Sequence, residues 1–379
     1  MSSAHNWPAM EVVNMLKSRL ALIAVVSQIV FTSMLSAQGD SQWLIPRAMV
    51  ASTELKIVWQ YNLPMAKGES LNDMLLCGNR LCTLSRGNYL SCINKADGNV
   101  MFASLIAPVG LPVADLESYK GELLTIVGNK LVEINADFGT EKAKTQIDTR
   151  VVCPVVRNES FFYIAGADRR IRALRADDKV KVFEVAAENG SRITSVLAEN
   201  DFVVFATEAG NVIRIAPDKA AKIWQFDANS AVVGPIVHDA TSLYFACRDT
   251  CVYRIDLSLG KLLWKYQTQG ILDTAPQLGG KLVYQCVPGM GLVAIDKQTG
   301  KQPPIWEVKD GAGMLSESGD KTFVITKGGV IVAMDSTKVK KQLYSVNVAL
   351  PIQYAANVAD SRIYIADAQG RIACLEPAK

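Results

Sequence analysis

Val252-Tyr253-Arg254-Ile255-Asp256-Leu257-Ser258-Leu259-Gly260-Lys261-Leu262-Leu263-Trp264 is the stretch that decides the fold. A short apolar run reaches Ile255, a turn follows, and a second run ends on tryptophan, the pattern of a β-hairpin. Asp256 can accept backbone N–H bonds across such a turn. Gly260 suits the turn position that needs a positive φ.

The element recurs along the chain. Its large apolar anchors are Ile93, Ile134, Leu174, Ile215, Ile255, Ile295, Met334 and Leu375, spaced 41, 40, 41, 40, 40, 39 and 41 residues apart. Each unit carries about four strand signals. In the fifth they are Gly234–His238, Ser242–Ala246, Cys251–Ile255 and Lys261–Tyr266. After residue 40 no segment has a convincing helical period. Four short strands in each of eight units predict an all-β, eight-bladed β-propeller of four-stranded antiparallel blades.

A ring of blades must close. Leu375 lies four residues before the last residue, so the eighth unit lacks its outer strand. Glu54–Leu63 carries the outer-strand pattern, with Trp59 in the place of Trp264, and is expected to complete the last blade. The expected organisation is a signal peptide over 1–37, a linker over 38–53 and the propeller over 54–379.

The signal reading rests on Lys17 and Arg19, an apolar stretch from Leu20 to Phe31, and small residues ending at Ala37. An uncleaved anchor helix is the rival reading, since Leu20–Ala37 is uncharged. Cleavage predicts a periplasmic or secreted chain with no integral membrane segment left. No cysteine adjoins the cleavage site, so a lipid anchor is not indicated. The whole chain has 40 basic and 37 acidic side chains; without Lys17, Arg19 and Glu11 these become 38 and 36, a net of +2. That balance gives no electrostatic case for binding nucleic acid. Hydrophobic residues at 49% and charged residues at 20% fit a large folded core rather than disorder.

Ala294-Ile295-Asp296-Lys297-Gln298-Thr299-Gly300-Lys301, with Trp306 beyond it, resembles the Ala-x-Asp-x-x-Thr-Gly-Lys-x-x-Trp docking motif of pyrroloquinoline-quinone-type (PQQ-type) propellers. The opening stretch is a near copy; units two, three and four lack most of the motif. The resemblance implies that Trp59, Trp224, Trp264 and Trp306, with Asp256, Asp296, Gly260 and Gly300, dock one blade on the next. Phe102, Phe183 and Tyr344 stand in elsewhere. The closest functional analogues are the outer-membrane-assembly propellers (BamB-like). They imply a non-catalytic binding or scaffold role, with one loop face held against a protein partner of the cell envelope. The alternative is a quinoprotein oxidoreductase with PQQ and Ca²⁺ in the central funnel. The vicinal cysteine pair typical of the quinoprotein alcohol dehydrogenases is missing, and the expectation is no cofactor.

Catalytic signals are sparse. His238 is the only histidine after residue 37, nothing marks a partner for it, and it reads as a wall-lining residue; a multi-histidine metal site is excluded. Gly289-Met290-Gly291 matches a dinucleotide fingerprint on letters, but a strand follows where a helix must open. Cys82, Cys92, Cys286 and Cys374 read as small apolar packers, whereas Cys247 and Cys251 bracket a tight turn and are candidates for a disulfide. Turns between second and third strands carry Arg86, Arg169, Arg170, Arg248 and Lys327 against Asp168, Glu208, Asp249 and Asp367. These cations form a candidate binding rim on the face shared with the inter-blade loops. The expected species is a monomer.

Overall fold

The computed structural model describes residues 42–114, 116–187, 190–337, 341–348 and 353–378. The signal stretch and its cleavage position lie outside them. Eight four-stranded antiparallel sheets form the eight blades of a β-propeller. Blade one runs through Leu71–Cys77, Arg80–Ser85, Tyr89–Asn94 and Val100–Leu105. Blades two to seven follow over 117–146, 156–186, 193–227, 237–267, 277–309 and 311–347.

Burial explains the apolar runs. The second and third strands are sandwiched between neighbouring blades, so both their faces are covered. In blade five Leu243 and Phe245 pack toward blade four, while Tyr244 and Ala246 pack toward blade six. All eight anchors are buried, from 0% exposed for Ile93 to 8% for Leu174. Outer strands such as Glu141–Gln146 keep one face in water and alternate. The buried side chains fall into eight clusters, one at each joint between adjacent blades.

The closing strand is Leu55–Asn62. It pairs antiparallel with Arg371–Pro377, from Leu55↔Pro377 to Asn62↔Arg371. Blade eight therefore takes its outer strand from the beginning of the described chain and the other three from the end. The joint between blades eight and one is a cluster like the rest, built from Trp59, Tyr364 and Cys374 against Leu71, Leu81 and Ile93. At the axis, Gln353 of blade eight donates to the Asn72 carbonyl of blade one at 2.9 Å.

Residues 42–53, expected as connecting linker, pack on the ring. Leu44, Ile45 and Val50 join the core between blades seven and eight, and Arg47–Val50 forms one helical turn. The Gln60 side chain clasps Ile45: its Oε1 accepts from Ile45 N–H at 2.8 Å and its Nε2 donates to Ile45 C=O at 2.9 Å.

The cysteine reading needs correction. Cys82 and Cys92, expected as separate packers, lie directly opposite on neighbouring strands and are joined by a disulfide. Cys247 and Cys251, the candidates for a disulfide, are free. The Cys247 thiol instead donates to Ser230 C=O at 3.1 Å and the Cys251 thiol to Gln267 Oε1 at 3.1 Å.

Candidate functional site

The repeat motif holds blades together. Trp224, Trp264 and Trp59 each lie over a glycine of the following blade, respectively Gly260, Gly300 and Gly98. Their indole N–H groups donate to Leu257, Lys297 and Lys95 carbonyls at 3.0, 3.1 and 2.9 Å. The three glycines have φ of 66°, 59° and 77°, a region that favours glycine. Their turns are set by the residue after the anchor: Asp256 Oδ1 accepts from Ser258 and Leu259 N–H at 2.8 and 2.7 Å, and Asp296 Oδ1 from Gln298 and Thr299 N–H at 3.1 and 2.7 Å. Burial works against the Asp296 carboxylate, but the Thr299 hydroxyl and these N–H groups outweigh it and lower its pKa. Trp306 is fully buried against Tyr284, with ring centroids 5.6 Å apart. The tryptophans are thus engaged at the joints between blades, and the aspartates within their own turns.

The family described as "Outer membrane protein assembly factor BamB" matches residues 208–350, from the end of blade four through blade seven. That match lies on an eight-bladed β-propeller. Among solved structures, BamB from Moraxella catarrhalis is similar at 14% identity and a TM-score of 0.66, over 85% of this chain and 97% of that one. The computationally designed Ika8 protein is similar at 11% identity and 0.65, over 83% and 98%. Quinohemoprotein alcohol dehydrogenase from Comamonas testosteroni is similar at 12% identity and 0.62, over 87% and 77%. No curated protein sequence matches this one.

In this ring each inter-blade connection crosses one face from an outer strand to the next inner strand. In several blades the turn after the second strand is hydrogen-bonded to it: Arg86 N–H to Ser70 C=O, Ala167 to Arg150, Arg248 to Ala231, Lys327 to Asp310. The rim cations thus share a face with the connections. Two are paired, Arg248 with Asp273 at 2.6 Å and Arg170 with Glu184. Nearby, Arg172 binds Asp168 at 2.7 Å and holds its carboxyl below the usual range, and Arg371 binds Asp367 at 2.6 Å. Arg86, Arg169 and Lys327 are exposed; Lys327 lies near enough to the Cys286 thiol to act on it, whereas Arg86 and Arg169 have no side-chain partner among the described residues.

Sequence reasoning passed over a feature of this face. Leu105–Ala114, ten residues without a polar side chain, leaves blade one and crosses to blade two. Leu105, Val109 and Leu111 are 55%, 77% and 40% exposed. The run of apolar letters was the available signal; it reads as strand until the turn residues Pro108, Gly110 and Pro112 break it.

At the opposite end, Leu197, Val237, His238, Leu278, Met314 and Val358 from five successive blades line a cavity of about 510 Å³. His238 Nε2 lies 3.3 Å from Glu199 Oε1, and its ring meets Phe202 edge-on at 5.4 Å. No nucleophile adjoins it in these contacts. Among the described residues no three His, Cys, Asp or Glu side chains converge as metal ligands. The lining offers no carboxylate and one amide, Gln277, which is bonded to the Met314 backbone, and so does not suit a polyanionic quinone with Ca²⁺, which calls for carboxylate and amide oxygens around the ion. Among the described residues no helix is long and apolar enough to cross a membrane.

Proposed function

We propose that this protein is a non-catalytic propeller of the cell envelope that presents the face of its inter-blade connections to a protein partner. The observation that carries the reading is the match of residues 208–350, from the end of blade four through blade seven, to the assembly-factor family, on a ring that spans 97% of a BamB chain. The motif residues support it, because they are occupied at blade joints and within turns and leave recognition to loops. Export through residues 1–37, with cleavage after Ala37, would place the ring in the periplasm. The rim of Arg86, Arg169, Arg170, Arg248 and Lys327 belongs to the proposed face. Affinity capture from envelope extract tests the reading, comparing the protein with an Arg86→Glu, Arg169→Glu, Lys327→Glu variant. A partner retained by the first and lost by the second is expected; capture indifferent to the face would overturn it.

A second reading, quinoprotein oxidation, rests on the likeness of fold to quinohemoprotein alcohol dehydrogenase. Dye-linked alcohol oxidation after addition of PQQ and Ca²⁺ would establish it; no turnover is expected.

A further inference from the structure

The connection between blades one and two is built to stay exposed. Water normally drives apolar loop side chains inward. Here the buried Asn88 prevents collapse: its Nδ2 donates to Pro108 and Leu111 carbonyls, 2.9 Å each, on either side of Val109. Pro108 and Pro112 restrict the chain further. Val109 and Leu111 are therefore held out by a preorganised loop.

The loop divides a groove. One cavity of about 380 Å³ lies toward blade one and includes Arg86, Asn88 and Leu111 in its lining. Another of about 590 Å³ lies toward blade three and includes Ile126, Arg150 and Val152. Pro112 and Val113 line both, so the two lie on either side of this segment. The shared segment, Pro112 and Val113, is apolar, and an arginine stands on either side of it. Arg86 and Arg150 are exposed, and neither has a side-chain partner among the described residues.

We infer that this groove takes an extended segment of a partner protein, with apolar side chains seated across Pro112–Val113 and acidic residues flanking them to meet Arg86 and Arg150. Two unpartnered guanidinium groups bracketing the apolar Pro112–Val113 segment are complementary to carboxylates bracketing apolar side chains, and arginine binds carboxylate through two parallel bonds. A membrane surface would present a flat plane, whereas this site is concave on both sides of the loop. A rigid loop also loses little entropy on binding, which favours a short linear segment. The inference rests on the protein-binding reading and specifies the chemistry of the partner.

A random linear-peptide library displayed on phage and selected on the exported, full-length protein tests it. The expected peptides carry Asp or Glu on both sides of an apolar pair. As synthetic peptides they should bind at least about tenfold more weakly to Arg86→Glu, Arg150→Glu and to Leu111→Ser. All these side chains are exposed to some degree, and thermal melting of each variant checks that the ring is intact. Selected peptides without acidic enrichment, or indifferent to the charge reversal, would overturn the groove while leaving partner binding by another part of the face standing. No peptide binding, together with sedimentation on phosphatidylglycerol vesicles that Leu111→Ser abolishes, would overturn it in favour of a membrane contact. No peptide binding together with PQQ-dependent oxidation would overturn the protein-binding reading as well.

Discussion

Trp224 of blade four lies flat over Gly260 of blade five, so close that a Cβ placed on Gly260 would meet the indole Cδ2 at 2.6 Å. Gly260 also has φ of 66°. Two separate costs therefore follow from Gly260→Ala: a left-handed backbone imposed on alanine, and a displaced tryptophan. Gly289 has φ of 80° with nothing within 4 Å of its Cβ direction, so Gly289→Ala carries the first cost alone. The expected loss is about 1 kcal/mol for Gly289→Ala and about 2–4 kcal/mol for Gly260→Ala, read from urea unfolding. Equal losses would mean that the indole yields freely and that its seat on the glycine is not tight.

The Cys82–Cys92 bond staples the second and third strands of blade one. Peptide mapping without reduction should recover these two residues linked and Cys247 and Cys251 as free thiols. The loop that the bond closes is short, so replacing both cysteines by serine should cost about 3 kcal/mol on the loop-closure account, before any cost of the buried hydroxyls. Burial pushes the Cys247 thiol up to about 12, so it should react slowly with alkylating reagents at neutral pH until the protein unfolds.

Acid should loosen the joint between blades five and six. Burial opposes the charge on Asp239, but the Thr241 N–H, the Tyr244 hydroxyl and the Lys297 ammonium together hold its carboxyl down to about 2. A carboxyl whose folded pKa is depressed stabilises the fold above its unfolded pKa, and that stability is lost as pH falls through the folded value. The contribution of Asp239 should therefore be complete above about pH 4 and disappear toward about pH 2. Denaturation of the native protein and of Asp239→Asn should differ most at neutral pH, with the gap narrowing across that window. A gap that is constant with pH would assign the difference to packing instead.

The blade count, the strand order and the closing strand were legible because they depend on period. Anchors such as Ile93 and Ile255 are buried at every turn of the repeat, so selection for burial leaves an apolar mark at constant spacing. Inner strands were less legible. Gly234–His238 reads as one strand, yet only Val237–His238 pairs, because the chain around Gly234 lies against the backbone of Ala275 instead of a ladder neighbour. The disulfide was hidden for another reason. Cys82 and Cys92 become opposite only once the register of their two strands is known, whereas the Cys247 and Cys251 spacing suggests a bridge by proximity along the chain alone. The loop groove was missed because an apolar run signals burial by default, and only Asn88 holding Pro108 and Leu111 reveals that this one stays out.

Closure gives the last prediction. The strand Leu55–Asn62 joins the ring at two levels: Trp59 docks on Gly98 of blade one, and Gln60 clasps the backbone of Ile45 so that Leu44 and Ile45 seal the joint between blades seven and eight. Trp59→Ala removes a buried indole and its bond to Lys95 C=O, for a loss of about 3–5 kcal/mol. Ile45 is 0% exposed, so Ile45→Ala should cost about 2–5 kcal/mol although it lies outside every strand. Trp59 and Ile45 belong to different joints, so the two losses should add when both residues are replaced. Limited proteolysis of either variant should cut first in blade eight, whose outer strand is held only by Arg371–Pro377 once its docking is lost. An Ile45→Ala protein with the melting temperature of the native ring would mean that residues 42–50 rest on the propeller without sealing it. A stable Trp59→Ala protein would remove the argument that the first strand locks the ring shut.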